Sequence, residues 1–420
     1  MSRHLVVVTP WLPTPPEFGG ALRSFHLIRQ LSRSHEVTIL CPVTAADDTD
    51  LDILRALGNV TCVPHPWTPR HPANRTKRTL QARSIASRKS FVELSTWSDA
   101  LQGVLERLFL TRRVDCVLYE STRTALFRPP RPCPTVIDAH DVEAELLIRV
   151  ARNTSSDVAR ALKLGEARKV AQLERRLWRS AEVVVATSER DAAAIASVSG
   201  ATTHVVPNGT DVDAFMRPEG WAVRQDIVFT GVMRHQPNSD AARWYLDEIY
   251  PLVRQRVPNA RTVFVGADPP EWLMARASND VIVTGRVDDI RPWLWSASVA
   301  IVPLRSGGGT RLKIFEALAA GVPVVSTSIG AEGIPGVENV TIIANDPKAF
   351  ATAVSMVMTE PERAASMREN GMQLVRAYDW ATISQRMTGA IDDAISLFQQ
   401  RSDAAESAPL DWSGRLWRRG

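Results

Sequence analysis

Apolar residues gather along the chain into short dense runs, and the stretches between many of them repeat with a helical period. The first run, residues 5–9, is β-branched and nearly continuous (Leu5-Val6-Val7-Val8-Thr9). A loop rich in proline and glycine follows as far as Gly20, after which Leu22, Phe25, Leu27, Ile28 and Leu31 fall on one helical face. Further runs at 36–41, 114–119, 135–138, 183–186 and 204–207 predict strands, with helical stretches between many of them, notably 160–180. Runs that are apolar throughout belong to strands covered on both faces, and alternation with helices predicts a parallel sheet.

The pattern breaks at Pro207-Asn208-Gly209-Thr210-Asp211, a turn-forming string. A second series then predicts strands at 226–230, 262–265, 281–284, 299–302 and 322–326, with a helix over 240–256. The expectation is an α/β chain of two doubly wound domains, 1–207 and 208–378, with a ligand cleft between the carboxyl ends of their strands. Helices are expected at 361–378 and 380–399, the segment 379–399 packing back on the first domain, and the tail 400–420 is expected to be disordered.

Composition adds mainly exclusions. With 420 residues, 45% of them hydrophobic, each half is long enough to build its own core. No run approaches the ~20 apolar residues of a membrane span. The amino terminus, a short strand interrupted by Pro10 and Pro13, does not read as a signal peptide. Cys41, Cys62, Cys116 and Cys133 show no metal-ligand spacing and are expected as buried thiols in a reducing cytoplasm. A net charge of +4, with no recognisable nucleic-acid module, gives no reason to expect nucleic acid as a partner.

The densest chemistry lies in Ser306-Gly307-Gly308-Gly309-Thr310-Arg311-Leu312-Lys313-Ile314-Phe315-Glu316. Glycines after a strand let backbone approach an anion, and a helix beginning at Thr310, its expected N-cap, would turn free N–H groups and a positive dipole end toward that anion. Arg311 and Lys313 add cations in the first turn. Glu316 shares a helix face with Lys313 and offers an acceptor for hydroxyls. Together these residues suit a nucleoside diphosphate sugar: a clamp for phosphates, an acceptor for ribose.

Other loops are more open in meaning. Gly231 closes a strand and opens Val232-Met233, where backbone amides could meet the same phosphates or simply make a tight turn. Gly285-Arg286-Val287 follows another strand and could hold a base or be a plain loop. Gly19, Gly20 and Arg23 precede or begin a helix, and their loop could close over a donor or shape an acceptor pocket. Asp138, His140, Asp141 and Glu143 follow a strand and could bond sugar hydroxyls or relay a proton, or His140 could be structural. Glu174 reads as a solvated or capping carboxylate. Asp211-Val212-Asp213 matches a metal-binding Asp-x-Asp pattern, but it sits in the interdomain turn and reads as turn chemistry. No metal is expected, since Arg311 and Lys313 supply the charge a departing diphosphate needs.

The string from Gly307 through Gly321-x-Pro323-Val324-Val325 resembles the donor-site signature of GT4-type, GT-B-fold retaining glycosyltransferases. Phe18-Gly19-Gly20-x-x-Arg23, Val206 to Asp211, Gly231-x-Met233-x-x-x-Pro237-Asn238-x-Asp240 and Gly330-Ala331-Glu332-Gly333-Ile334 resemble the family's other landmarks, spanning about residues 4–395. The likeness is greatest to bacterial enzymes of exopolysaccharide and cell-surface glycan assembly. It implies two Rossmann-like domains facing across a cleft, an acceptor-side first domain and a donor-binding second one. It also implies Glu316 on the ribose, Arg311 and Lys313 on the diphosphate, and the backbone from Gly307 to Thr310 beside the transferred sugar.

The chain departs from the family twice. Gly308 stands where many members carry the first glutamate of an E-x7-E pair, and Val232 follows Gly231 where many carry arginine, with Pro237 or Asn238 near the place of a lysine. Arg311 and Lys313 are expected to replace those cations. The implied activity is transfer of a hexose unit from a nucleoside diphosphate sugar to a glycan or lipid-linked acceptor, with retention and without metal or other cofactor. A sugar-nucleotide epimerase of the same architecture, using His140 as acid or base, and a non-catalytic nucleotide-sugar-binding subunit remain the alternatives. Arg70, Arg75, Lys77, Arg78, Arg83, Arg88 and Lys89, with no acidic residue between them, form either a solvated face or a contact for anionic lipid at the cytoplasmic side of a membrane.

Overall fold

The computed structural model describes residues 2–16, 18–44, 51–65, 74–152, 154, 156–307 and 310–407. The first half is built of β1 (His4–Val8), α1 (Gly19–Leu31), β2 (Glu36–Val43), α2 (Asp52–Arg55), β3 (Asn59–Pro64), α3 (Asn74–Ile85), α4 (Phe91–Thr96), α5 (Asp99–Thr111), β4 (Cys116–Glu120), β5 (Thr135–Ala139), α6 (Glu143–Arg152), α7 (Asp157–Trp178), β6 (Val183–Ala186), α8 (Glu189–Ser199) and β7 (Thr202–Val205). Its seven strands form one parallel sheet in the order β3-β2-β1-β4-β5-β6-β7. Along β1, Leu5 and Val7 join one buried cluster while Val6 and Val8 join another, so both faces of the sheet are covered.

The second half holds α9 (Val212–Phe215), β8 (Asp226–Thr230), α10 (Gln236–Trp244), α11 (Tyr250–Arg256), β9 (Arg261–Val265), α12 (Glu271–Met274), β10 (Val281–Val283), α13 (Arg291–Trp295), β11 (Ala297–Val302), α14 (Leu312–Ala319), β12 (Val324–Ser326), β13 (Thr341–Ile343), α15 (Pro347–Thr359), α16 (Pro361–Val375) and α17 (Trp380–Ser407). Its parallel sheet runs β10-β9-β8-β11-β12-β13. The architecture is the α/β GT-B arrangement of two Rossmann-like halves.

Several boundaries moved. The helix expected over 240–256 begins at Gln236 and contains a π-helical turn, Tyr245–Ile249, just before Pro251. The strand expected at 204–207 is Thr202–Val205. The segment expected to be disordered from residue 400 instead continues α17 through Ser407, while 408–420 lie outside the described residues. Helix α17 packs against α1, β5 and β6 of the first half. The chain crosses between halves twice, side by side: Thr210 N donates to Tyr378 O at 2.9 Å and Trp380 N to Thr210 O at 3.1 Å. Asp211 belongs to this joint, capping Ala214 N at 3.2 Å and meeting Arg29 at 3.2 Å. Two of the four cysteines are brought together: Cys41 and Cys62 are paired across β2 and β3 with their Sγ atoms 3.5 Å apart.

Candidate functional site

In each sheet the strand order reverses once, between β1 and β4 and between β8 and β11. Ligands of open parallel sheets bind beyond the carboxyl ends of strands at such reversals. Glu120 ends β4, while Gly231 follows β8 and the glycine loop follows β11.

On the second-domain wall, α14 starts one residue later than expected. Arg311 occupies the N-cap position with no side-chain cap, and Thr310 does not cap the helix. Lys313 Nζ donates to Asn238 Oδ1 at 3.0 Å and lies 4.2 Å from the ring centre of Phe229. A Cβ on Gly231, whose φ is +145°, would stand 2.8 Å from Asn238 Nδ2 and 3.1 Å from Lys313 Nζ. Only glycine brings backbone so close to that ammonium. Lys313 therefore reaches across to the loop after β8, and Asn238 orients it.

Gly307 (φ +133°) lies beside Arg311, its Cβ position 3.0 Å from Nη2; Gly308 and Gly309 lie outside the described residues. Gly266, which the sequence reading passed over although it closes a strand, abuts Gly231: a Cβ there would be 2.0 Å from the Gly231 carbonyl oxygen. Gly266 N donates to Gly285 O at 3.2 Å, so the loop carrying Arg286 and Val287 continues the same row along the sheet's carboxyl edge. Val287 packs partly against the core.

Burial, and then the nearby Arg311 charge, push the Lys313 ammonium down to about 7. Burial pushes the Glu316 carboxyl up to about 7. The two share a helix face but form no ion pair. Burial also lowers Arg311. Burial thus makes these cationic groups costly, and a dianionic diphosphate would relieve that cost.

On the facing wall, the amino end of α1 meets that of α14: a Cβ on Gly19 would sit 3.6 Å from Leu312 Cδ1. A Cβ on Gly20 would lie 2.6 Å from Trp11 and 3.4 Å from His140 Nδ1. His140 Nε2 donates to Glu120 Oε2 at 3.0 Å and stands 3.6 Å from Asp138 Oδ2. Burial disfavours a charged ring, but the bonds and charges of Asp138 and Glu120 outweigh it and raise His140 to about 9. A ring held protonated in this way offers N–H groups, which suits a hydrogen bond to a sugar hydroxyl.

Two residues of this wall differ from expectation. Arg23 does not line the cleft. It is 1% exposed, gives both ends of its guanidinium to Asp138 at 2.7 and 2.8 Å, and donates to Pro207 O at 3.0 Å. Glu143 is turned to Arg123 at 2.7 Å, and Glu145 faces the cleft instead. Of the two readings of Glu174 the capping one holds: it is buried and accepts the Glu143 and Ala144 N–H groups at 2.7 and 3.2 Å at the start of α6. Glu120 was not found from the sequence; its signal was a carboxylate closing an apolar strand.

Glu120, Asp138 and His140 present ligand-type atoms within 4.8 Å of one another, the one such group among the described residues. Arg23 answers Asp138, and Ser24 Oγ at 2.7 Å and His140 answer Glu120 Oε2, while Glu120 Oε1 is buried with no partner. The two cations balance the two carboxylates, so a divalent ion held by all three residues would compete with Arg23 for Asp138 and with the His140 proton.

Residues 19–214 match the family described as Glycosyltransferase Family 4, and 224–360 match Glycosyl transferases group 1. The chain belongs to the GT4-type glycosyltransferases. It is 26% identical over 222 residues to a lipopolysaccharide core biosynthesis mannosyltransferase, LpcC, of Rhizobium leguminosarum bv. viciae, covering 48% of this chain and 61% of the relative. It is 27% identical over 245 residues to a GDP-mannose-dependent alpha-(1-6)-phosphatidylinositol monomannoside mannosyltransferase of Mycolicibacterium smegmatis, covering 51% and 63%. The chain thus matches about six-tenths of the length of these curated relatives. The solved structure of Anabaena Alr3699/HepE in complex with UDP superposes with a TM-score of 0.65 at 14% identity, covering 93% of this chain and 100% of that one. That of WaaG, a glycosyltransferase involved in lipopolysaccharide biosynthesis, gives 0.62 at 15%, covering 92% and 99%.

In this GT4-type chain the two walls are also tied by charge. Arg149 of α6 donates to Gly307 O at 3.2 Å, and Arg190 of α8 pairs with Glu332 at 3.0 Å and Glu145 at 2.7 Å. Neither arginine carries a sequence signal, because each lies on a helix whose facing partner is in the other domain. No helix among the described residues is long and apolar enough to cross a membrane.

Proposed function

We propose that this chain transfers a hexose unit from a nucleoside diphosphate sugar to an acceptor hydroxyl, with retention and without a metal ion or other cofactor, in building exopolysaccharide or another surface glycan. The observation that carries the reading is the convergence of Lys313, Arg311 and the amino end of α14 beside Gly231, opposite cationic His140. The bond from the sugar's anomeric carbon to the diphosphate breaks, and the acceptor oxygen bonds that carbon on the same face. The acceptor proton passes to the leaving phosphate oxygen. Lys313, Arg311 and the helix dipole stabilise the charge that grows there. His140 holds a sugar hydroxyl through an N–H.

Thermal shift against UDP, GDP, dTDP, ADP and NAD⁺, with and without EDTA, tests the donor site. The curated relatives make GDP and GDP-mannose the first to try. A shift with one nucleoside diphosphate that survives EDTA is expected; a shift with NAD⁺ alone would overturn the reading.

For the acceptor we propose a membrane-borne glycan, reached by docking on anionic lipid. Arg78, Arg83, Arg88 and Lys89 are exposed in and after α3, and Ile85 among them is 63% exposed. Ser84 is tied to Glu166 at 2.7 Å, and Leu162 and Val158, on the same face of α7 one and two turns earlier, are also exposed. Arg70 and the Arg75 side chain lie outside the described residues. Co-sedimentation with liposomes is expected to rise with anionic lipid and fall with salt. Indifference to both would remove this part.

A further inference from the structure

Between α6, the start of α8 and the loop after β12 lies a hollow lined by Asp141, Arg149, Ser188, Arg190, Asp191 and Thr310, with about 70 Å³ open to water. That space takes a few waters or one edge of a sugar ring; a whole ring enters only if the walls part.

The charges around it do not stand alike. Arg190 is held by Glu145 at 2.7 Å and Glu332 at 3.0 Å. Arg149 lies 3.8 and 3.7 Å from the same two carboxylates and is bonded to Gly307 O. These four charges close on one another. Asp141 has no side-chain partner, and Asp191 accepts from Ser188 Oγ at 2.9 Å. Burial raises Asp141 to about 6, and the Asp191 charge adds to this, whereas His140 and Arg311 pull the other way. Thr310, on the opposite wall, is 9% exposed, and its Oγ1 is buried with no hydrogen-bond partner. A buried hydroxyl left unbonded is costly, and a ligand that bonds it recovers that cost.

We propose that this hollow receives the hydroxyl-bearing edge of an uncharged sugar unit of the acceptor and disfavours acceptors with a phosphate beside the reacting ring. Asp141 and Asp191 accept hydrogens from the sugar hydroxyls, and Thr310 Oγ1 bonds a further one. A phosphate there would meet two carboxylates. The two cations that line the hollow, Arg149 and Arg190, are already engaged by Glu145 and Glu332, and drawing either onto the phosphate would leave those carboxylates unpaired.

The inference rests on the transferase reading and is tested beside it. The protein is saturated with the nucleoside diphosphate that gives the thermal shift, then titrated calorimetrically with methyl hexopyranosides and with myo-inositol 1-phosphate. A glycoside is expected to bind at least about tenfold more tightly than the inositol phosphate. Asp141→Asn, Asp191→Asn and Thr310→Val are each expected to weaken glycoside binding about threefold to tenfold, and the two aspartate changes to narrow the gap. A nucleotide-induced thermal shift in each variant confirms that it is folded. Inositol phosphate binding as tightly as any glycoside, glycoside binding untouched in all three variants, or no glycoside binding would each overturn the inference while leaving the donor site standing. Absence of a nucleotide shift in the unaltered protein would overturn both.

Discussion

Lys313→Ala and Arg311→Ala are each expected to lower turnover by about 10²–10³-fold, the range seen when a preorganised donor to a developing oxyanion is removed. Lys313 is the sharper test, because its charge state is poised. Burial lowers it to about 7. A diphosphate raises it again, so donor binding above neutral pH must take up a proton. Affinity should therefore fall as pH rises from about 7, by up to about tenfold per unit. Calorimetry in buffers of different ionisation enthalpy should show this uptake, and Lys313→Ala should abolish it and flatten the profile. Stability has its own sign. The folded-state value lies below that of an unfolded lysine, so between about 7 and 10.4 the unfolded chain binds more protons and the ligand-free protein gains stability as pH rises. Lys313→Met should melt higher than the unaltered chain at pH 7 and bind donor poorly. Turnover close to wild type in both alanine variants would refute the assignment.

Features that depend on neighbouring residues were legible in the sequence; those that depend on facing elements were not. Strands such as β1 and β6 are buried throughout, so composition alone marked them. Strand β3 is fully buried only at Val63 and formed no apolar run, whereas β13, as short as β10 and β12, was passed over with no such reason. The donor loop could be read because glycines, cations and helix start lie within eleven residues, Ser306 to Glu316. Even there, that Asn238 would orient Lys313 follows from α10 lying beside α14, not from spacing. The environment of His140 was hidden for the same reason, since Glu120, Asp138 and Arg23 come from three separate elements. The Arg149 and Arg190 ties exist only because two domains face each other.

Arg23→Ala is expected to cost about 3–5 kcal/mol, because it strips the partner from a carboxylate with no exposure at all. For a unit of 150–250 residues that is a fall of roughly 10 °C in Tm. An arginine next to a glycine loop at a cleft reads as a ligand contact, but the prediction here is a folding defect first. The pH dependence separates the two. In the unaltered protein burial works against ionised Asp138, but Arg23 first and His140 after it hold the carboxyl below its ordinary value. The pair's stabilisation is therefore present above about pH 4 and lost only in strong acid. Without Arg23, burial should carry Asp138 above its unfolded value, so the variant should become relatively more stable as pH falls from 7 toward 5. Arg23→Ala/Asp138→Asn, which removes the stranded charge as well, should recover part of the lost Tm. Its His140, now held by Glu120 alone, should titrate nearer neutral by NMR. If Arg23→Ala instead melts with the unaltered protein and only acceptor binding weakens, Arg23 acts in the cleft and not beneath it.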